Sequence, residues 1–192
     1  MVNEAALRLR EGMKPIYLDY NATTPLDPAV VEAMLPFLRE HFGNPSSTHA
    51  YGRTAHEAVE HSRRQVADLL GAEPGEIVFT GGGSEANNLA IKGVAFAALR
   101  VGGSAPDIRI ITSAVEHPAT LESCAFLERL GCRITILPVD RDGVVDLDAL
   151  GRALRQPTLL VSIMHANNEV GTLQPIREIA ALAHEHGALV HT

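Results

Sequence analysis

Apolar residues follow two rhythms along this chain. From residue 77 onward, short and nearly continuous apolar runs alternate with longer stretches at helical spacing. The runs predict strands over 77–80, 108–112, 133–138, 159–164 and 188–191, and the stretches between them predict helices over 84–100, 118–130, 146–154 and 175–186. Continuous apolar strands separated by amphipathic helices mean βαβ units and a largely parallel sheet covered on both faces. The predicted class is α/β.

Before residue 77 the rhythm is less regular. Ile16-Tyr17-Leu18-Asp19 reads as a short strand, and Pro28 opens a helix that Pro36 is expected to kink or shorten. Residues 42–49 are dense in turn formers and predict a loop. Thr54-x-x-Glu57 has the spacing of a capping box, followed by Ala55, Ala58, Val59, Val66, Leu69 and Leu70 at helical positions and by Gly71 as a stop.

Composition narrows the function classes. The 192 residues, 46% of them hydrophobic, suffice for one sizeable core. A formal charge of −7 gives a nucleic-acid partner no electrostatic support. The first residues carry Glu4, Arg8, Arg10 and Glu11 and lack the apolar core of a secretory signal, and no run is long enough to span a bilayer. A cytoplasmic protein without a membrane partner is expected. Cys124 and Cys132 are too far apart for a zinc site and read as buried thiols. His184 with His186, and His56 with His61, lack the spacing that puts two imidazoles on one helical face, so no metal site is expected.

Candidate chemistry begins where the run Ile77-Val78-Phe79 meets Gly81-Gly82-Gly83-Ser84 and a helical pattern follows. Glycines let the backbone come close to a ligand, and the helix start behind them offers unpaired N–H groups to an anion. Ser84 can cap that helix or give its hydroxyl to a phosphate. An ordinary strand–helix connection stays open on this stretch alone. A P-loop is excluded because no Lys-Ser or Lys-Thr follows, and a dinucleotide site lacks its acidic residue at the end of the second strand.

Ligands of a parallel sheet sit beyond the carboxyl ends of its strands. Glu116-His117-Pro118 follows the strand predicted over 108–112, and His165-Ala166-Asn167-Asn168-Glu169 follows that over 159–164. A phosphate cup, an imidazole and amide side chains therefore share one rim, with polar loop residues of no special role as the bland alternative.

Five motifs carry a resemblance: 17–25 (Tyr17-Leu18-Asp19-Tyr20-Asn21-Ala22-Thr23-Thr24-Pro25), Phe42-Gly43-Asn44-Pro45-Ser46-Ser47, 77–93, Glu116-His117-Pro118 and 165–171. In this order and register they resemble the cysteine desulfurases of the class V aminotransferase family. The resemblance implies a three-layer pyridoxal-phosphate-dependent transferase fold of type I. It further implies that Gly83 and Ser84 bind the cofactor phosphate, where the family more often has threonine in place of Ser84. His117 is implied to stack on the ring and assist proton transfer, and Asn168 to bond near the ring's phenolic oxygen. The implied reaction takes sulfur from L-cysteine, leaves L-alanine, and passes an enzyme persulfide to a sulfur-acceptor protein for iron–sulfur or thio-cofactor supply. A homodimer is implied for the full-length enzyme.

Departures from the family qualify that expectation. Lys14 and Lys92 are the only lysines, and neither matches the family's Schiff-base lysine. Neither cysteine matches the sulfur-accepting position. The expected organisation is a polar tail over 1–15 and a large domain over 16–192, incomplete at its C-terminus, without the family's small domain. The chain by itself is expected to be catalytically inactive. A non-catalytic remnant, a selenocysteine lyase or another class V relative are the alternatives.

Overall fold

A computed structural model of the chain describes residues 15–192. The tail predicted over 1–15 lies outside the described residues except for Pro15, and Lys14 lies outside them too. The chain divides into two compact units, one ending at Val78 and the other spanning Phe79–Thr192.

The described part of the first unit contains two α-helices and a short 3-10 turn, Pro74–Glu76. Helix α1, Pro28–Arg39, starts where Asp27 Oδ1 accepts from Ala29 N at 2.8 Å. Pro36 does not end it; the helix continues to Arg39, and none of its residues is buried. Helix α2 spans Ala50–Leu70 and closes at Gly71, whose φ of 67° is left-handed. Its start corrects the capping-box reading. His49 is the cap, accepting from Gly52 N through Nδ1 at 3.3 Å, while Thr54 lies inside the helix and donates to Ala50 O. This start depends on close backbone approach, because a Cβ on Gly52 would fall 2.2 Å from Ser47 O.

Two predicted strands are absent. Residues 16–19 form no strand; the Tyr17 hydroxyl donates to the carbonyls of Asp19 and Thr23 and folds the segment into a turn. Residues 77–80 form no strand either, and Arg63 Nη1 donates to the Ile77 carbonyl in place of a ladder. An apolar run becomes a strand only within a ladder, and the described four-stranded sheet, β2-β1-β3-β4, does not include this run.

The second unit contains helix α3, Gly83–Arg100, and then three βα repeats closed by a last strand. The elements are β1 (Arg109–Ser113), α4 (Pro118–Arg129), β2 (Arg133–Leu137), α5 (Leu147–Leu154), β3 (Leu160–Ser162), α6 (Ile176–Glu185) and β4 (Leu189–His191). The strands form one parallel sheet in the order β2-β1-β3-β4.

Strand alternation sends neighbouring residues to opposite faces. Ile110 and Leu160 pack with Ile91 and Ala95 of α3 and with Cys124 and Leu127 of α4. Ile111 and Val161 pack with Leu150 and Leu154 of α5 and with Ile179 and Ala183 of α6. Helices thus cover both faces, the three-layer α/β arrangement expected from the sequence. Each fully buried isoleucine contributes about 1.5–3 kcal/mol relative to exposure.

Candidate functional site

The strand order creates a crevice. From β1 the chain crosses by α4 to β2 on one side; from β2 it crosses by α5 to β3 on the other side of β1. At their carboxyl ends, neighbouring strands β1 and β3 therefore lead in opposite directions, which leaves room for a ligand. A cavity of about 290 Å³ lies there. Glu116 and His117 follow β1, Ser162 to Ala166 end and follow β3, and His191 ends β4 with Thr192 after it; Asn87 of α3 and Thr120 of α4 complete the wall.

His117 is the N-cap of α4, and its Nδ1 accepts from Ala119 N at 3.1 Å. While that bond holds, the ring's own N–H is on Nε2. Glu116 is buried, with Oε1 accepting from Ser113 Oγ and from Met164 N, each at 2.8 Å. Burial pushes its carboxyl above the ordinary range, outweighing the two bonds, which favour the charged form. The bond to Met164 also explains why β3 stops at Ser162, short of the predicted 164: a ladder donor is spent on a side chain.

Across the sheet, Thr112, Ser162 and His191 occupy paired positions in β1, β3 and β4, on the face toward α3 and α4. Ser162 Oγ lies 2.9 Å from His191 Nδ1, and burial holds that imidazole below its ordinary value. Thr112 Oγ1 is buried without a hydrogen-bond partner.

At the glycine turn, α3 begins at Gly83 with Gly82 as cap and no side-chain capping bond, so Ser84 does not cap the helix. Glu85 Oε2 accepts from Gly81 N at 2.6 Å. The first helical bond runs from Ala86 N to Gly82 O, which leaves the N–H groups of Gly83, Ser84 and Glu85 outside the helical ladder. A Cβ placed on Gly82 or Gly83 would meet no atom within 4 Å. This donor set and this open space fit the phosphate of pyridoxal phosphate, and the planar ring of His117 on the cavity wall fits a flat heterocycle.

Of the four residues singled out in the sequence, the cavity wall includes His117 only. Gly83 and Ser84 stand at the start of α3, with Asn87 of the wall one turn beyond Ser84. Asn168 sits in an exposed turn and donates to Glu169 Oε1 at 3.1 Å. Its neighbour Asn167 builds that turn: Oδ1 accepts from Glu169 N and Val170 N, and Nδ2 donates to Val115 O at 3.0 Å. Lys92 lies over the Phe126 ring at 4.3 Å and does not line the cavity. Sequence reasoning assigns no role to Glu116 or Ser162, although a lone serine inside an apolar run is a visible signal.

Both cysteines are buried. Burial first, then the charges of Glu116 and Glu128, push the Cys124 thiol up to about 11, and burial raises Cys132 as well. Neither suits nucleophilic attack. Among the described residues, no cluster of His, Cys, Asp or Glu could hold a metal ion and no helix is long and apolar enough to cross a membrane.

Known proteins resemble this chain over nearly its whole length. Residues 16–192 match the family described as aminotransferase class-V. The chain is 56% identical to a cysteine desulfurase IscS of Dictyoglomus turgidum, over 93% of this chain and 44% of that protein. It is 51% identical to a cysteine desulfurase IscS of Methanosarcina thermophila and 50% identical to a mitosomal cysteine desulfurase of Encephalitozoon cuniculi, covering 43% and 41% of them. Among solved structures, a NifS-like protein superposes with a TM-score of 0.83 at 40% identity, over 89% of this chain and 46% of that one. A structure of SspA in complex with cysteine gives 0.84 at 44% identity, over 92% and 49%. The chain thus spans less than half the length of these relatives.

Proposed function

The chain belongs to the class-V aminotransferase family, and on that premise we propose that it is the pyridoxal-phosphate-binding portion of a cysteine desulfurase. High identity to proteins of that name across more than nine-tenths of the chain is the observation that carries the reading.

The proposed cofactor residues divide the labour by chemistry. The backbone N–H groups at Gly83 and Ser84, with the Ser84 hydroxyl, hold the phosphate by charge-assisted bonds at the positive end of α3. His117 offers its ring face to the pyridine and its Nε2 proton for transfer. Asn168 orients the phenolic oxygen and the substrate by hydrogen bonding. Bound pyridoxal phosphate supplies an electron sink for charge developing at the substrate's α-carbon.

L-Cysteine is the proposed substrate and L-alanine the product, with sulfur passing as a persulfide to an acceptor protein for iron–sulfur or thio-cofactor supply. The thiolate that takes the sulfur is neither Cys124 nor Cys132, because both are buried and held protonated. A cytoplasmic homodimer, with residues 16–192 contributing the large domain, completes the proposal.

Titrating the chain with pyridoxal phosphate and following cofactor absorbance tests it. Saturable binding is expected, weakened by Ser84→Ala and by His117→Ala. Equal affinity in wild type and both variants overturns the assignment of those residues, and no wild-type binding overturns the cofactor site.

A further inference from the structure

We propose that Glu116 is the positioning residue for His117, holding the imidazole against the cavity by tying the end of β1 to the end of β3. This rests on reading the cavity as the cofactor site.

A single carboxylate oxygen does the tying. Oε1 of Glu116 accepts from Ser113 Oγ, on the last residue of β1, and from Met164 N, two residues beyond β3. The second bond joins segments 48 residues apart, at the place where the two strands lead in opposite directions. Without it the loop from Ala114 to His117 would be joined to the β3 side mainly through the Asn167 bond to the Val115 carbonyl. Glu116 sets where α4 begins relative to β3, and the cap from His117 Nδ1 to Ala119 N sets how the ring is turned. Position and rotation of the imidazole are thereby both fixed, as a group meant to lie against a flat ligand requires.

Burying a carboxyl for a purely mechanical joint is costly, since a backbone amide or a water would serve with less desolvation. The groups around it are chosen to tolerate it. Ser113 and Met164 donate, the Cys124 thiol stays protonated, and His117, His165 and His191 line the same cavity.

Three variants separate joint from charge. Glu116→Gln keeps an oxygen that accepts both bonds, Glu116→Ala removes it, and Ser113→Ala removes one donor. In cofactor titrations Glu116→Ala is expected to weaken binding roughly tenfold, and Glu116→Gln by no more than about threefold. In a His117→Ala background, Glu116→Ala should add less than about twofold, because its effect is transmitted through the missing ring. Unchanged affinity, or the same loss in both backgrounds, overturns the proposal.

A second readout needs no cofactor. Proton–carbon spectra of the wild-type chain should show one set of His117 ring resonances, shifted by the surrounding cavity wall, and Glu116→Ala and Ser113→Ala should broaden or move that signal while Glu116→Gln restores it. If the wild type fails to bind pyridoxal phosphate, the cofactor reading falls and this spectrum alone decides the role of Glu116; an unaltered His117 signal in Ser113→Ala and Glu116→Ala overturns it. Should Glu116→Ala not fold, the comparison of Ser113→Ala with Glu116→Gln decides instead, and a His117 signal unaltered in Ser113→Ala overturns the joint.

Discussion

Ser162 and His191 face each other at paired positions of β3 and β4, with Oγ 2.9 Å from Nδ1, at the wall of the cavity. Desolvation lowers the folded-state pKa of His191 beneath its ordinary 6.5, so the unfolded chain takes up the proton more readily. Stability associated with His191 is therefore present above pH 6.5 and is lost as the pH falls through the folded value. Thermal melts of wild type and His191→Asn between pH 5 and 8 should converge toward the acid end of that range. A constant difference between them would rule the linkage out.

Glu116 carries the opposite slope. Its folded pKa is raised above the ordinary 4.5, mainly by burial, so the folded chain holds the proton longer than the unfolded chain does. The associated stability is full below pH 4.5 and declines as the pH rises through the folded value. Glu116→Gln should flatten that decline in denaturant titrations at successive pH values. Parallel curves for the two proteins would contradict the assignment.

Thr112 is the weak point of the polar row. Its side chain is fully buried in the sheet and its Oγ1 finds no acceptor or donor. Thr112→Val keeps the branched shape and removes the unsatisfied hydroxyl, which is expected to stabilise the chain by about 1 kcal/mol. Urea unfolding at neutral pH measures the change. A loss of stability would show that the hydroxyl is satisfied in solution.

Cys124 should be chemically silent in the folded chain. With its pKa pushed up to about 11 and its side chain buried, roughly one thiol in a thousand is ionised at pH 8, and that thiolate is shielded from reagents. Alkylation followed by mass spectrometry should label it only after denaturation. Rapid labelling of the native chain would place Cys124 at the surface.

Much of the second unit is legible in the sequence because its helices and strands use different apolar periods. Asp146 and Pro175 mark the starts of α5 and α6 as their residue types suggest, and Ile110 and Ile111 sort the two cores by alternation alone. Less is legible where a distant group decides local structure. Nothing near Ile77 announces that Arg63 will take its carbonyl, and nothing near Met164 announces that Glu116 will take its N–H. For the site, the imidazole of His117 can be read from its place after a strand. Ser162 and His191 cannot be recognised as partners, because their pairing depends on strand order, which short-range patterns do not encode.

Strand order also has a consequence for how the chain acquires the crevice between β1 and β3 during folding. Strands β1 and β2 are joined by a single helix and can pair early, whereas β3 must reach β1 across the whole intervening repeat, a contact with a larger loop-closure cost. Since the crevice exists only between β1 and β3, it assembles after that slower, non-local step. Gain of coenzyme binding in a refolding experiment would then lag the appearance of helical signal, making the ligand a reporter on completion of the sheet.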